Sequence, residues 1–319
     1  MSSNLPIVFL FSGQGSQYRG MGQALFEQEP VFRDSMEKAD SIVQRQLSRS
    51  LIHELYTEKQ PVFDDLLVTH PAIVAIEIAL LRVLEAMGIR ADHVSGNSLG
   101  EFAAAVAAGI WTEQSAIEAA IEQAKSITRN DVGGGMLAVL HQNSDAMKQL
   151  YNSHGLFLAA DNFDGHFTLS GAARDLDRFQ SDLDLRGIQF QRLEVAYPFH
   201  SPLIEGAAAE FSYHTSGMPD FASPQSGFVS GMSGEELAFL PRDYFWQVAG
   251  RYTNFQKLVR YLEAKGPCLY IDLGPSGTSA NFVRYNLDPS SASQTFSIIT
   301  RFKKEKQQLE ALAKLLGLK

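Results

Sequence analysis

A serine flanked by glycines, Gly96-Asn97-Ser98-Leu99-Gly100, lies between a short apolar segment and an alanine-rich run ending at Gly109. This is the setting of a nucleophile elbow, because a strained strand-to-helix turn leaves no room for bulky side chains beside the serine. Ser98 would then project at the start of a helix over 99–108, where unpaired backbone N–H groups and the helix dipole favour a developing negative charge. The chemistry that suits such a serine is acyl transfer through a covalent ester, and it requires a base. The candidate among eight histidines is His200, in Tyr197-Pro198-Phe199-His200-Ser201-Pro202. The competing readings are a structural turn for the first motif and a helix-capping histidine for the second.

The elements that must position these groups follow from periodicity. Apolar strands alternate with amphipathic helices: a strand over 7–11, a helix around 31–46, a long helix around 72–87, a strand near 93–95 and the elbow helix. This order predicts an α/β fold whose parallel sheet is wrapped by helices. Residues 133–195 read differently, as strand 136–140, helix 144–152, strands 156–160 and 166–170, helix 173–185 and strand 188–193. That is the split β-α-β order of a ferredoxin-like unit, with hinges at 133–135 and 197–201. The expected division is a large domain over 1–132 and 198–319, interrupted by an insert over 133–197. After the insert the sequence suggests a helix from about 201, a strand over 268–273, the turn Gly274-Pro275-Ser276-Gly277, a strand near 297–300 and a last helix over 303–316.

Composition narrows the function classes. Among 319 residues, 45% hydrophobic content is enough for a large core and argues against disorder. The formal charge of −9 argues against a nucleic-acid surface, so an acidic partner would have to be met by local cations. Arg251, Arg260, Arg284, Arg301, Lys303, Lys304 and Lys306 are concentrated in the C-terminal third. One cysteine, Cys268, rules out an internal disulfide and fits a reducing, cytoplasmic setting. The apolar run 5–11 is too short to span a membrane. Gly13-x-Gly15 lacks the third glycine of a dinucleotide site, and no metal-ligand spacing appears, so neither a bound cofactor nor a metal is expected.

Six motifs stand in order: Gly13-Gln14-Gly15-Ser16-Gln17, Thr69-His70-Pro71-Ala72, the elbow, Asn162-Phe163, Phe199-His200-Ser201-Pro202-Leu203 and Asp272-Leu273-Gly274-Pro275-Ser276-Gly277. Together they resemble the malonyl-CoA:acyl-carrier-protein transacylases and the acyltransferases of polyketide synthases, over nearly the whole chain. The resemblance implies an α/β-hydrolase-like domain carrying a ferredoxin-like insert. It also implies Ser98 as nucleophile, His200 as base and an oxyanion hole from the amides of Gln14 and Leu99. The histidine would be oriented by a main-chain carbonyl, matched to Asn254. Phosphopantetheine thioesters, carried by an acyl carrier protein or by CoA, are the implied substrates.

Two departures bear on the substrate. Malonyl-using members of the family carry an arginine on the helix after the elbow, whose planar fork pairs with the substrate carboxylate. The matching residue is Gln123, and a neutral amide cannot offset the cost of burying a carboxylate. Arg129 lies too far around the helix to substitute. The competing reading leaves Gln123 on a solvated face beside the stripe Ile117, Ala120, Ile121, Ala124 and Ile127. The second departure is Asn97, where transacylases usually have histidine; with Phe199 and Asn162 it is expected in the acyl pocket. Free-standing proteins of trans-acyltransferase polyketide pathways that carry glutamine here act as acyl hydrolases on stalled carrier proteins. The resemblance thus points to a proofreading hydrolase, with transfer of an uncharged acyl group to a second carrier as the alternative. A docking protein with a dead site would lack the serine or the base.

Overall fold

The computed structural model describes residues 5–60 and 62–318. Its main sheet has five parallel strands in the order Gln294–Ser297, Leu269–Asp272, Ile7–Phe11, His93–Gly96 and Gly227–Phe228. The central strand, Ile7–Phe11, is buried on both faces, which is why it reads as an unbroken apolar run.

The helix Leu66–Ala86 starts earlier than its sequence suggests, with Pro71 inside it and Asp65 accepting a hydrogen bond from the Leu67 N–H at its start. Pro71 lies in the second turn, close enough to the start that its missing donor does not end the helix. The stretch is long and apolar enough to cross a membrane, yet most of it is buried, packed against the helices Pro30–Leu47, Gly100–Ala107 and Glu113–Arg129. A helix that is apolar all round and enclosed in this way is a core helix.

The insert is ferredoxin-like. Its antiparallel strands take the order Gln189–Arg192, Gly135–Leu140, His166–Gly171 and Phe157–Phe163, with the helices Asp145–Ser153 and Ala173–Leu185 contributing to a separate small core. A fifth strand, Thr253–Asn254, comes from the large domain and pairs in parallel with Phe157–Phe163, stitching the two sheets' surroundings together immediately after Arg251.

The second half of the large domain departs most from the sequence reading. The segment after Ser201 begins as a 3-10 turn over Pro202–Ala207 before becoming helical. Tyr244–Gly250, Phe255–Glu263 and Thr278–Asn286 are further helices that periodicity did not reveal, the first because all but two of its seven residues are buried and no polar face marks it. The last strand is Gln294–Ser297; Ile298 and Ile299, which suggested a later strand, are fully buried just beyond it.

Candidate active site

The elbow forms at the carboxyl end of His93–Gly96, where the Asn97 N–H donates to the Phe11 carbonyl at 2.8 Å. Ser98 has φ of +55°, a left-handed conformation that costs a non-glycine residue roughly 1–2 kcal/mol. Packing holds it there. A Cβ on Gly96 would run into the backbone of Gly100 and Glu101, and one on Gly100 would run into the Phe11 carbonyl, so the helix Gly100–Ala107 can seat on the sheet only with glycine at both positions.

Glu101, in the first turn of that helix, fastens the elbow from the other side. Its buried carboxyl accepts from the Gly231 N–H at 2.7 Å, the Met232 N–H at 3.3 Å and the Tyr244 hydroxyl at 3.0 Å. Burial pushes its pKa up to about 8 against the opposing pull of these donors. Tyr244 opens the helix Tyr244–Gly250, which presents main-chain carbonyls to the site.

His200 also has positive φ, +56°. Its backbone N–H donates to the Ala249 carbonyl at 2.7 Å, and its Nδ1–H donates to the Arg251 carbonyl at 2.8 Å. That leaves the Nε2 lone pair to accept from the Ser98 hydroxyl, 2.9 Å away. Burial lowers the pKa of His200 to about 4, opposed by the Arg251 carbonyl, so the ring is neutral at physiological pH and able to take a proton. Orientation by a carbonyl requires no third ionised group. The residue that supplies it is Arg251 rather than Asn254: Asn254 instead caps the following helix, accepting from the Lys257 N–H at 2.8 Å. Thr253 and Asn254 pair instead with the insert strand Phe157–Phe163.

Gly13 packs directly on the Asn97 carbonyl, where a Cβ would not fit, and this brings the Gln14 backbone beside the elbow. Among the described residues, neither the Gln14 N–H nor the Leu99 N–H donates to a protein acceptor, as an oxyanion hole requires. The Gln14 side chain is anchored on the central helix, its Nε2 donating to Thr69 Oγ1 at 2.9 Å and its Oε1 accepting from His70 Nδ1 at 3.1 Å.

Gln123 is buried, not on a solvated face, and its Nε2 donates to the Phe245 carbonyl at 2.8 Å. Arg129 points elsewhere and pairs with Glu210 at 2.7 Å. His70, whose type and position in the sequence carry no sign of a role, is hydrogen-bonded to Gln14 and Gln123 and stacks on Phe199, with ring centroids 5.6 Å apart. Burial lowers its pKa to about 3, opposed by the Gln123 amide.

Asn97 is half-buried and Phe199 buried, both adjoining the Ser98–His200 pair in sequence. Asn162 has a different place. Its Nδ2 contacts His166 Nδ1 at 3.0 Å and Thr168 Oγ1 at 3.2 Å, while its carbonyl accepts from Asn286 at 2.7 Å. Its side-chain amide is therefore committed within the insert, and its main-chain carbonyl joins the insert to the helix Thr278–Asn286, which corrects its assignment to the acyl pocket. Glu101 was legible as the one charge in an otherwise apolar helix; Arg251 carried no signal, because a main-chain carbonyl is common to every residue type.

Among the described residues, no group of three or more His, Cys, Asp or Glu side chains is arranged to hold a metal. Residues 8–317 match the family described as the acyl transferase domain. The chain is 40% identical over 320 residues to the polyketide biosynthesis acyltransferase homolog PksD of Bacillus subtilis, covering 97% of this chain and 96% of that protein. It is 36% identical over 315 residues to the homolog BaeD of Bacillus velezensis, with the same coverage, 97% and 96%. Among solved structures, the acyltransferase domain from the second module of the salinomycin polyketide synthase superposes with a TM-score of 0.87 at 28% identity, over 99% of this chain and 74% of that one.

Proposed function

From a chain that belongs to the acyl transferase domain family, and that is a polyketide acyltransferase homolog along nearly its whole length, we propose an acyl hydrolase acting on carrier-protein phosphopantetheine thioesters. The observation that carries this reading is Gln123. At the position where the family resemblance calls for a carboxylate-pairing arginine, a buried amide stands with one donor already engaged by the Phe245 carbonyl, beside a neutral His70. A malonyl carboxylate would be desolvated there without a counter-ion, at a cost of several kcal/mol. Uncharged acyl groups carry no such penalty.

In the proposed mechanism Ser98 attacks the thioester carbonyl as His200 Nε2 takes its proton. The amides of Gln14 and Leu99 hold the oxyanion, and His200 returns the proton to the departing thiol. Water then attacks the acyl-Ser98 ester with His200 as base, releasing the free acid. The Arg251 carbonyl keeps the imidazole in the required tautomer throughout. The acidic carrier protein would be met by exposed cations such as Arg251, Arg284 and Lys303, in a cytoplasmic enzyme.

Single turnover of acetyl-, butyryl- and malonyl-loaded carrier protein, with a second empty carrier present, tests the reading. Free acetate and butyrate should accumulate while malonyl carrier stays intact. Quantitative acylation of the second carrier would make the protein a transacylase instead.

A further inference from the structure

The central strand Ile7–Phe11 delivers the turn that carries Gln14, and its sheet partners stop one residue short of that turn. The Leu273 N–H donates to the Leu10 carbonyl and the Asn97 N–H to the Phe11 carbonyl, but the next N–H, that of Ser12, goes to a side chain. The acceptor is Glu77, in the middle of the central helix Leu66–Ala86. Its Oε1 receives the Ser12 N–H at 2.5 Å and the Ser12 hydroxyl at 3.2 Å. Glu77 is fully buried in a stretch that is otherwise apolar from Pro71 to Leu81. Its Oε2 has no hydrogen-bond partner among the described residues, so the contacts of this carboxyl are with Ser12. A buried carboxyl is costly to keep, and an apolar side chain of the same volume would pack there without that cost.

The turn's surroundings suggest what the carboxyl is for. Two helical turns before Glu77, on the same face, His70 Nδ1 lies 3.1 Å from the Gln14 amide, and the neighbouring Thr69 Oγ1 lies 2.9 Å from it. One helix therefore grips the turn at both Ser12 and Gln14. From other sides Gly13 rests against the Asn97 carbonyl, and a Cβ on Gly274 would strike the Ser12 side chain, so the turn has no room to slide. Within it the Gly15 N–H is taken by Gln17 Oε1 and the Ser16 N–H by the Gly13 carbonyl, while the Gln14 N–H donates to no protein acceptor among the described residues. We propose that Glu77 is a positioning residue for acylation, which by holding Ser12 sets the place of the Gln14 N–H in the oxyanion hole. The inference rests on the acyl-enzyme reading above and goes beyond it by naming the group that places the hole. Glu77 acts through Ser12 and touches no substrate atom. Burial raises its pKa well above the usual carboxylate range, with Asp272 adding to the rise and the Ser12 hydrogen bonds opposing it. The neutral acid favoured in this way grips the turn without setting a full negative charge behind the oxyanion.

The test follows single-turnover thiol release from butyryl phosphopantetheine thioester, which reads the acylation rate at saturation and the substrate concentration that gives half of it. Glu77→Met keeps the volume and removes the acceptor. Its saturated rate should fall on the order of tenfold to a hundredfold with the half-saturating concentration unchanged, because a displaced oxyanion donor is felt only in the transition state. Glu77→Gln, which presents a carbonyl oxygen at the same reach, should recover most of that rate. Glu77→Asp, which keeps the acid but withdraws it by one methylene, should stay slow. A folded Glu77→Met protein with the wild-type rate, or a Glu77→Gln protein as slow as Glu77→Asp, overturns the proposal; so does a lowered melting temperature with the rate intact, which would leave Glu77 a structural role alone. Where Glu77→Met does not fold, the Gln and Asp variants carry the same comparison. Each of these results leaves the hydrolase reading standing, since thiol release precedes the choice between water and a second carrier. Transfer to a second carrier with the order of the variants retained does the reverse.

Discussion

Replacing Gln123 by arginine introduces a guanidinium into a place that now holds a side chain only 2% exposed. The acceptors beside it are neutral, the Phe245 carbonyl and the imidazole of His70, so the added cation would lack a counter-ion in the free enzyme. Burial of an unpaired charge costs several kcal/mol, and the variant should melt below the wild type. A malonyl group supplies the missing anion. A hydrogen bond to a charged group contributes about 1.5–3 kcal/mol when well placed, so malonyl acylation relative to acetyl should rise on the order of tenfold to a hundredfold. Thiol release from malonyl and acetyl phosphopantetheine thioesters, measured side by side on wild type and Gln123→Arg, gives the ratio directly. Hydrolysis of the malonyl ester should also slow, because the ion pair fills space open to water. A folded Gln123→Arg protein with an unchanged malonyl-to-acetyl ratio would refute the placement of Gln123 at the acyl end of the site, and with it the main support for the hydrolase reading.

Ser98→Ala should abolish acyl-enzyme formation, so the mass of the intact protein should show no acyl adduct after exposure to substrate; an adduct elsewhere would move the nucleophile. Because burial lowers His200 to about 4, protonation of the base should cut acylation only as pH falls through that region, and kcat/KM should stay level on the acid side down to about pH 5; an acid limb near the ordinary histidine pKa would contradict the buried, neutral base. Glu101→Ala leaves the Gly231 N–H and the Tyr244 hydroxyl without their acceptor and should destabilise the protein by about 3–5 kcal/mol in urea unfolding, whereas a loss below 1 kcal/mol would mean the clamp is not formed. Gly96→Ala must displace the start of the elbow helix, and a shift of that kind misplaces Ser98 enough to cost on the order of a hundredfold in acylation rate; normal acylation would show that the turn is not held by close packing.

The parts of the molecule that sequence alone determined are those governed by local physics. The glycines around Ser98 are dictated by the elbow's own geometry, and the insert's strands and helices announce themselves by a change of period over 133–195, which the ferredoxin-like strand order matches. The substitution of glutamine at 123 is likewise a fact of the sequence, and its helical setting follows from the stripe beside it. What the sequence left open depends on groups distant in the chain. That Gln123 is buried rests on the Phe245 carbonyl reaching it from 122 residues away. That the Arg251 carbonyl rather than that of Asn254 orients His200 is a contact between residues 51 apart, which no local pattern encodes. Asn162 looked like a pocket residue until the fold committed its amide to the insert. His70 acquired its place only when the central helix brought it against Gln14, Phe199 and Gln123 at once. Side-chain type and local period set the nucleophile, the base and the elements. The choice of a main-chain carbonyl and the protonation state of a buried ring come from long-range packing and desolvation, which are properties of the assembled core.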